Sequence, residues 1–176
     1  AGAIAGPKEE YDKLWFTRQA IGTTLDAYSA SLLERGLKTF AIRAERMAAN
    51  AMAVAQCLRR HRRISRLHYP GLPDDAGYAV ARQQMRDGFG GMMAFDVGES
   101  EEDAKRFVSA LRTIVHAVSL GATESLICVP YLTTMLYLPP ERRTTFGVAR
   151  NTVRLSVGIE PETALIDDLE QALAQV

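Results

Sequence analysis

Phe40, Ala44, Met47, Ala51, Val54 and Leu58 recur at spacings of 4, 3, 4, 3 and 4. That is the period of one face of an α-helix. A stripe this long must be buried, so the chain has to build a further layer of structure against it. The pattern predicts one long helix from about residue 28 to residue 61. Arg43, Arg46, Asn50 and Arg60 fall off the stripe, and Gly36 marks either a kink or a close contact.

On either side the chain alternates between the two regular periods. Residues 1–5 read as a short strand, and residues 8–18 as a helix opened by Pro7 and broken by Gly22-Thr23-Thr24. Residues 64–69 read as a strand ended by Pro70-Gly71-Leu72-Pro73, which can continue neither helix nor ladder. A short helix over 75–86 and a turn at 87–91 lead to a strand over 92–97. Ser100 caps a helix running to about residue 112, with Glu101, Glu102 and Asp103 in the first turn, where negative charge is favoured. Residues 114–120 read as a strand, 121–138 as a loop with apolar stretches, and 139–147 as a short helix. A strand over 152–158 precedes a final helix opened by Pro161-Glu162, with Ile166, Leu169, Leu173 and Val176 on one face. The alternation suggests a parallel sheet, but the connection lengths fit parallel and split arrangements alike.

Composition excludes several functional classes. At 47% hydrophobic and 24% charged residues the chain is neither disordered nor membrane-spanning. No apolar run approaches a transmembrane length, and the N-terminus lacks the basic leader of a signal peptide. It also lacks an initiator Met, which reads as a fragment or a processed chain. Two cysteines, Cys57 and Cys128, make no disulfide framework, and a reducing cytoplasm is expected. The 21 basic and 21 acidic residues cancel. The run Arg59-Arg60-His61-Arg62-Arg63 ends the long helix, where cations complement the dipole. It has no interleaved aromatics, so nucleic-acid binding is not expected. His61, His68 and His116 show no ligand spacing, and no metal is expected. Gly88-Phe89-Gly90-Gly91 precedes a strand rather than opening a helix, so it reads as a tight turn and not a phosphate loop.

Thr152-Val153-Arg154-Leu155-Ser156-Val157-Gly158 is the most informative stretch. Strand alternation puts Val153, Leu155 and Val157 on one face and Arg154 and Ser156 on the other. A lone arginine in such a strand needs a partner. It either pairs with a nearby acid or carbonyl on an edge strand, or it grips a ligand carboxylate with its planar fork. Spacing alone leaves both open.

Six motifs then resemble, in order, the C-terminal half of the cysteine/methionine-metabolism (trans-sulfuration) pyridoxal-phosphate (PLP) enzymes. They are Arg35-Gly36-Leu37-Lys38-Thr39; Tyr69-Pro70-Gly71-Leu72; Phe89-Gly90-Gly91-Met92; Val118-Ser119-Leu120-Gly121 with Glu124-Ser125-Leu126; Pro139-Pro140-Glu141-Arg142-Arg143; and Val153-Arg154-Leu155-Ser156-Val157-Gly158-Ile159-Glu160. The family includes cystathionine γ-synthase, cystathionine lyases and methionine γ-lyase. The resemblance implies an α/β chain with an α+β-like small domain: the C-terminal domain of fold-type I, a small, mainly antiparallel sheet with helices packed on one side. It divides the chain into residues 1–25 as the tail of the large PLP-binding domain, 26–62 as a long connecting helix, and 63–176 as the substrate-carboxylate domain. It further implies a cytoplasmic homo-oligomer, a dimer of dimers, acting on an amino-acid substrate.

Residue by residue, the resemblance makes Arg154 the ligand of the substrate α-carboxylate, Ser119 the serine beside it, and Thr134 a threonine that orders the same site. Val118 stands where several cystathionine-handling members carry glutamate, and so tilts towards an apolar sulfur substituent. Three departures are visible. Thr133-Thr134-Met135 lacks the histidine of the usual Met-Thr-His, Cys128-Val129-Pro130-Tyr131 replaces the usual His-Pro-Ala, and Asp26-Ala27 follows Leu25 where a proline is usual. The family's PLP-holding lysine is expected upstream of residue 1, since Lys8, Lys13, Lys38 and Lys105 stand in no matching context. The chain is therefore expected to carry no catalytic, cofactor-binding or metal residue of its own, and to be inactive alone. An alternative is a non-catalytic dimerisation or partner subunit derived from the family.

Overall fold

The helical stripe and the strand alternation meet in one layer of helices on one face of a sheet. The computed structural model describes residues 4–176. The chain divides into two compact units, one ending at Ala41 and the other spanning Ile42–Val176.

The first unit is helical. Helix α1, Lys8–Ile21, starts after Pro7 and stops at Gly22, whose φ of 76° lets its N–H reach the carbonyls of Arg18 and Gln19. It buries no residue and is laced by i,i+4 ion pairs, Lys8 to Asp12 at 2.8 Å and Lys13 to Glu9 at 3.1 Å. Helix α2, Ala27–Leu37, is capped by the Asp26 carboxylate, which accepts from the Ser29 N–H at 2.9 Å. The expected strand over 1–5 falls largely outside the described residues, and residues 4–7 form no regular element.

The single long helix expected over 28–61 is instead two. The chain turns at Lys38-Thr39, and helix α3 runs Phe40–Leu58. Gly36 sits just before that turn, and a Cβ added there would meet nothing within 4 Å. Its low helix propensity, not a close contact, therefore fits the break. The stripe is buried only along its later part, at Ala51, Val54 and Leu58, while Phe40 is exposed.

Five strands follow within the second unit: β1 Ile64–His68, β2 Met92–Val97, β3 Val115–His116, β4 Leu126–Cys128 and β5 Thr152–Ser156. Their order is β1-β2-β5-β4-β3, antiparallel except for the parallel β3–β4 pair. Helices α4 (Tyr78–Gln84), α5 (Glu101–Ala110), α6 (Pro140–Thr145) and α7 (Glu162–Leu173) connect or close them. The Gly88–Gly91 stretch is a loop leading into β2, with Gly88 and Gly90 at φ 118° and 73°.

One sheet face is apolar. Met93, Phe95 and Val97 of β2, Ile127 of β4, and Val153 and Leu155 of β5 share a core cluster with Ala51, Val54 and Leu58 of α3, Phe107 and Val108 of α5, and Leu165, Leu169 and Leu173 of α7. Phe95 meets Phe107 edge-on at 6.0 Å. Each large side chain so buried contributes about 1.5–3 kcal/mol. Asp168 of α7 ties this layer to the sheet. Its carboxylate accepts the backbone N–H groups of Arg112, Thr113 and Ile114 at 2.8–2.9 Å, at the entry to β3.

Two further elements differ from expectation. The strand read over 114–120 leaves the sheet after two residues, because residues 118–121 turn towards β5. The apolar loop over 121–138 hides β4, whose three residues are all buried. Strand β5 has β2 and β4 as neighbours and so is central, not an edge.

Candidate functional site

The opposite sheet face is set by the same two-residue period. On β5 it carries Thr152, Arg154 and Ser156. The ladder partners of Arg154 are Ala94 on β2 and Cys128 on β4, both small. An arginine flanked by small side chains can lie across the sheet without steric conflict.

The charges near Arg154 are already satisfied elsewhere. Asp96, 7% exposed, uses one oxygen to accept from Thr152 Oγ1 at 2.5 Å and the other from Arg66 Nε at 2.8 Å. No carboxylate pairs with Arg154 among the described residues. Its Nη2 instead donates to two backbone carbonyls, Val118 at 2.6 Å and Ser119 at 3.2 Å. Its Nε is buried without a partner. A buried unpaired N–H is costly unless a ligand acceptor meets it.

The segment that brings those carbonyls to Arg154 is pinned at both ends. Ala117 N–H donates to the Ile127 carbonyl at 2.9 Å, and Gly121 N–H donates to Ser156 Oγ at 2.8 Å. Gly121 has φ 73°, a left-handed conformation that suits glycine.

The structure thus brings Arg154, Val118 and Ser119 together. Arg154 satisfies part of its fork with carbonyls, as one sequence reading expected, but on a central strand and with donors left over. Thr134 is half-buried just beyond the 3₁₀ turn Pro130–Leu132. Its hydroxyl makes no hydrogen bond among the described residues, and it does not join the bonded set around Arg154.

Sequence reading missed the clamp beyond β5. Asn50 of α3, 1% exposed, donates through Nδ2 to the carbonyls of Gly158 and Glu160 at 3.1 and 2.9 Å. Ser125 donates to Glu160 and accepts from Gly158 N–H at 2.8 Å. The available signal was an asparagine amid alanines beside the buried part of the helix, together with Gly158-Ile159-Glu160 closing a strand.

A cavity of about 1050 Å³ in the first unit is lined by residues between Ile4 and Thr23 and includes none of these side chains.

These features accord with a match to the family model for Cys/Met-metabolism PLP-dependent enzymes over residues 1–174. The chain belongs to that family. It is 39% identical over 173 residues to cystathionine gamma-lyase of Bacillus subtilis (strain 168), covering 98% of this chain and 45% of that protein. It is 38% identical over 175 residues to L-methionine gamma-lyase of Pseudomonas putida, covering 98% and 44%. The structure of cystathionine gamma-lyase from Lactobacillus plantarum, complexed with L-serine, superposes with a TM-score of 0.92 at 35% identity, over 98% of this chain and 45% of that one. The chain spans slightly under half the length of these relatives.

None of the four lysines has the surroundings of an amine that holds PLP. A lysine that attacks a carbonyl needs a lowered pKa and a sheltered amine. Lys8, Lys13, Lys38 and Lys105 all lie exposed beside carboxylates, at 2.8–3.4 Å. Glu10 and Glu9 push Lys13 above the ordinary lysine value, and Glu101 and Glu102 do the same to Lys105.

Proposed function

We propose that this chain supplies the substrate-carboxylate site of a PLP-dependent enzyme of sulfur amino-acid metabolism. The reaction is elimination or replacement at Cβ or Cγ of a sulfur-containing amino acid or an activated homoserine. Arg154 carries the proposal: a cation on a central strand, anchored through Nη2 to carbonyls, with a buried Nε and no acid partner among the described residues.

A carboxylate laid along the Nε–Nη2 edge would give Nε its acceptor and replace a carbonyl on Nη2. Charge-assisted pairs of this kind are about twice as strong as neutral ones. Ser119 lies beside that edge and orients the second carboxylate oxygen, and Thr134 orders the outer side of the site. Val118, 53% exposed, borders the substrate side chain with an apolar surface and favours an apolar sulfur substituent. Fixing the carboxylate fixes the rotation of the amino acid about its Cα, which is this chain's contribution to selectivity of bond cleavage. PLP supplies the electron sink when bound, and the part of this chain's residues is to orient the substrate against it.

Residues 1–25, 26–62 and 63–176 serve as cofactor-domain tail, connector and carboxylate domain of a cytoplasmic homo-oligomer, a dimer of dimers. Exposed apolar side chains such as Phe16 and Leu37 support burial against further protein. No described helix is long and apolar enough to cross a membrane.

The test is turnover by the holoenzyme of L-cystathionine, L-methionine and an O-acylated L-homoserine, each beside its decarboxylated amine. Turnover of at least one amino acid and loss of binding for its amine supports the reading. Equal affinity for acid and amine contradicts it.

A further inference from the structure

Ser156 is a buried polar residue between apolar ladder partners. It is 2% exposed on the central strand, with Met92 and Leu126 as its ladder partners. Its hydroxyl accepts from Gly121 N–H at 2.8 Å. We propose that Ser156 is a positioning residue for carboxylate binding, acting through Gly121 on the strap over residues 117–121 and, through the strap's carbonyls, on Arg154.

This inference rests on the proposed role of Arg154. Ser156 and Arg154 are two residues apart on one strand and share its polar face. The strap crosses that face between two fixed points, Ala117 N–H on the Ile127 carbonyl at 2.9 Å and Gly121 N–H on Ser156 Oγ. With only three residues between the anchors, the carbonyls of Val118 and Ser119 have little freedom. They therefore hold Nη2, at 2.6 and 3.2 Å, in one place. A long arginine side chain loses substantial rotamer entropy on being ordered. Prior ordering by the strap removes that loss from the binding step, which is preorganisation of the site. Releasing the Gly121 anchor lets the strap and the guanidinium move, and the ordering is then charged against substrate affinity. The same strap carries Ser119 and Val118, so one hydroxyl sets the position of three of the site's residues.

The test is a double-mutant cycle in the holoenzyme, with KM and kcat for L-cystathionine and L-methionine measured for wild type, Ser156→Ala, Arg154→Ala and the double variant. Ser156→Ala should raise KM about fivefold or more, the effect of one lost hydrogen bond, with kcat changed by less than about twofold. In the Arg154→Ala background the same change should alter KM by less than about twofold, because the group it positions is gone. If Ser156→Ala does not fold, Ser156→Cys takes its place: it keeps most of the volume and replaces the hydroxyl with a weaker acceptor, and the same KM rise is expected. An unchanged KM, or an equal rise in both backgrounds, overturns the positioning role. Native kinetics in Arg154→Ala alone overturns the carboxylate reading instead.

Discussion

Both carboxylate oxygens of Glu160 are taken by one residue, Ser125, whose backbone N–H donates at 2.5 Å and whose hydroxyl donates at 2.9 Å. Ser125 is fully buried, and the carboxylate is the acceptor for both its N–H and its hydroxyl. Glu160→Ala should lower stability by about 1–3 kcal/mol, the desolvation penalty of the donors left unpaired. Urea unfolding followed by circular dichroism measures this, with the slope unchanged.

Gly158 sits between that pair and the end of β5. A Cβ there would land on the Thr123 carbonyl oxygen and within 2.7 Å of the Glu124 carbonyl carbon. The obstruction is backbone and cannot rotate away. Gly158→Ala should therefore destabilise by roughly 1–3 kcal/mol or more, as overpacking does, read as a lower melting temperature. A gain in stability would mean the turn relaxes freely.

Asp168 predicts an acid-side dependence. Burial pulls its carboxyl upward, but the N–H groups of Ile114, Arg112 and Thr113, with the Gln171 amide, outweigh that and hold it below the ordinary value. Its folded value is the depressed one, so its stabilisation is full above the unfolded value of 3.8 and is lost as pH falls through the folded value. Asp168→Asn should cost about 1–3 kcal/mol near neutral pH. The gap to wild type should narrow in acid, measured by denaturant melts across pH.

Tyr69 predicts the alkaline counterpart. Burial pushes its hydroxyl up to about 12, and it donates to the Gly90 carbonyl at 3.0 Å. The folded value is raised, so this contribution is present below the unfolded value of 10.0 and is lost as pH rises through about 12. In a 295 nm-region titration, Tyr69→Phe should remove one late-ionising phenol.

What was legible in the sequence was what local chemistry determines. Ser100 and Asp103 form a reciprocal capping box that starts α5 where the residue types indicate. The alternation in 152–156 identified β5 and both its faces. Alternation carries no information about neighbours, so it could not show that β5 is central, because strand order is set by pairing across dozens of residues. β4 was missed because three apolar residues between irregular segments carry no period. Asn50 looked like an off-stripe polar residue because its partners lie more than 100 positions away. Arg154 was visible as an anomaly. Its bonding to the Val118 and Ser119 carbonyls was not legible, because those partners lie 36 and 35 positions away.

The central claim is that the guanidinium of Arg154 receives the carboxylate of an amino acid. The most direct measurement is kcat/KM of the Arg154→Ala holoenzyme for L-cystathionine and L-methionine, with fold checked by circular dichroism. A loss of about 100-fold or more, with a raised KM, is the predicted result for removing a charge-assisted contact. Kinetics close to wild type in a folded variant would contradict the account.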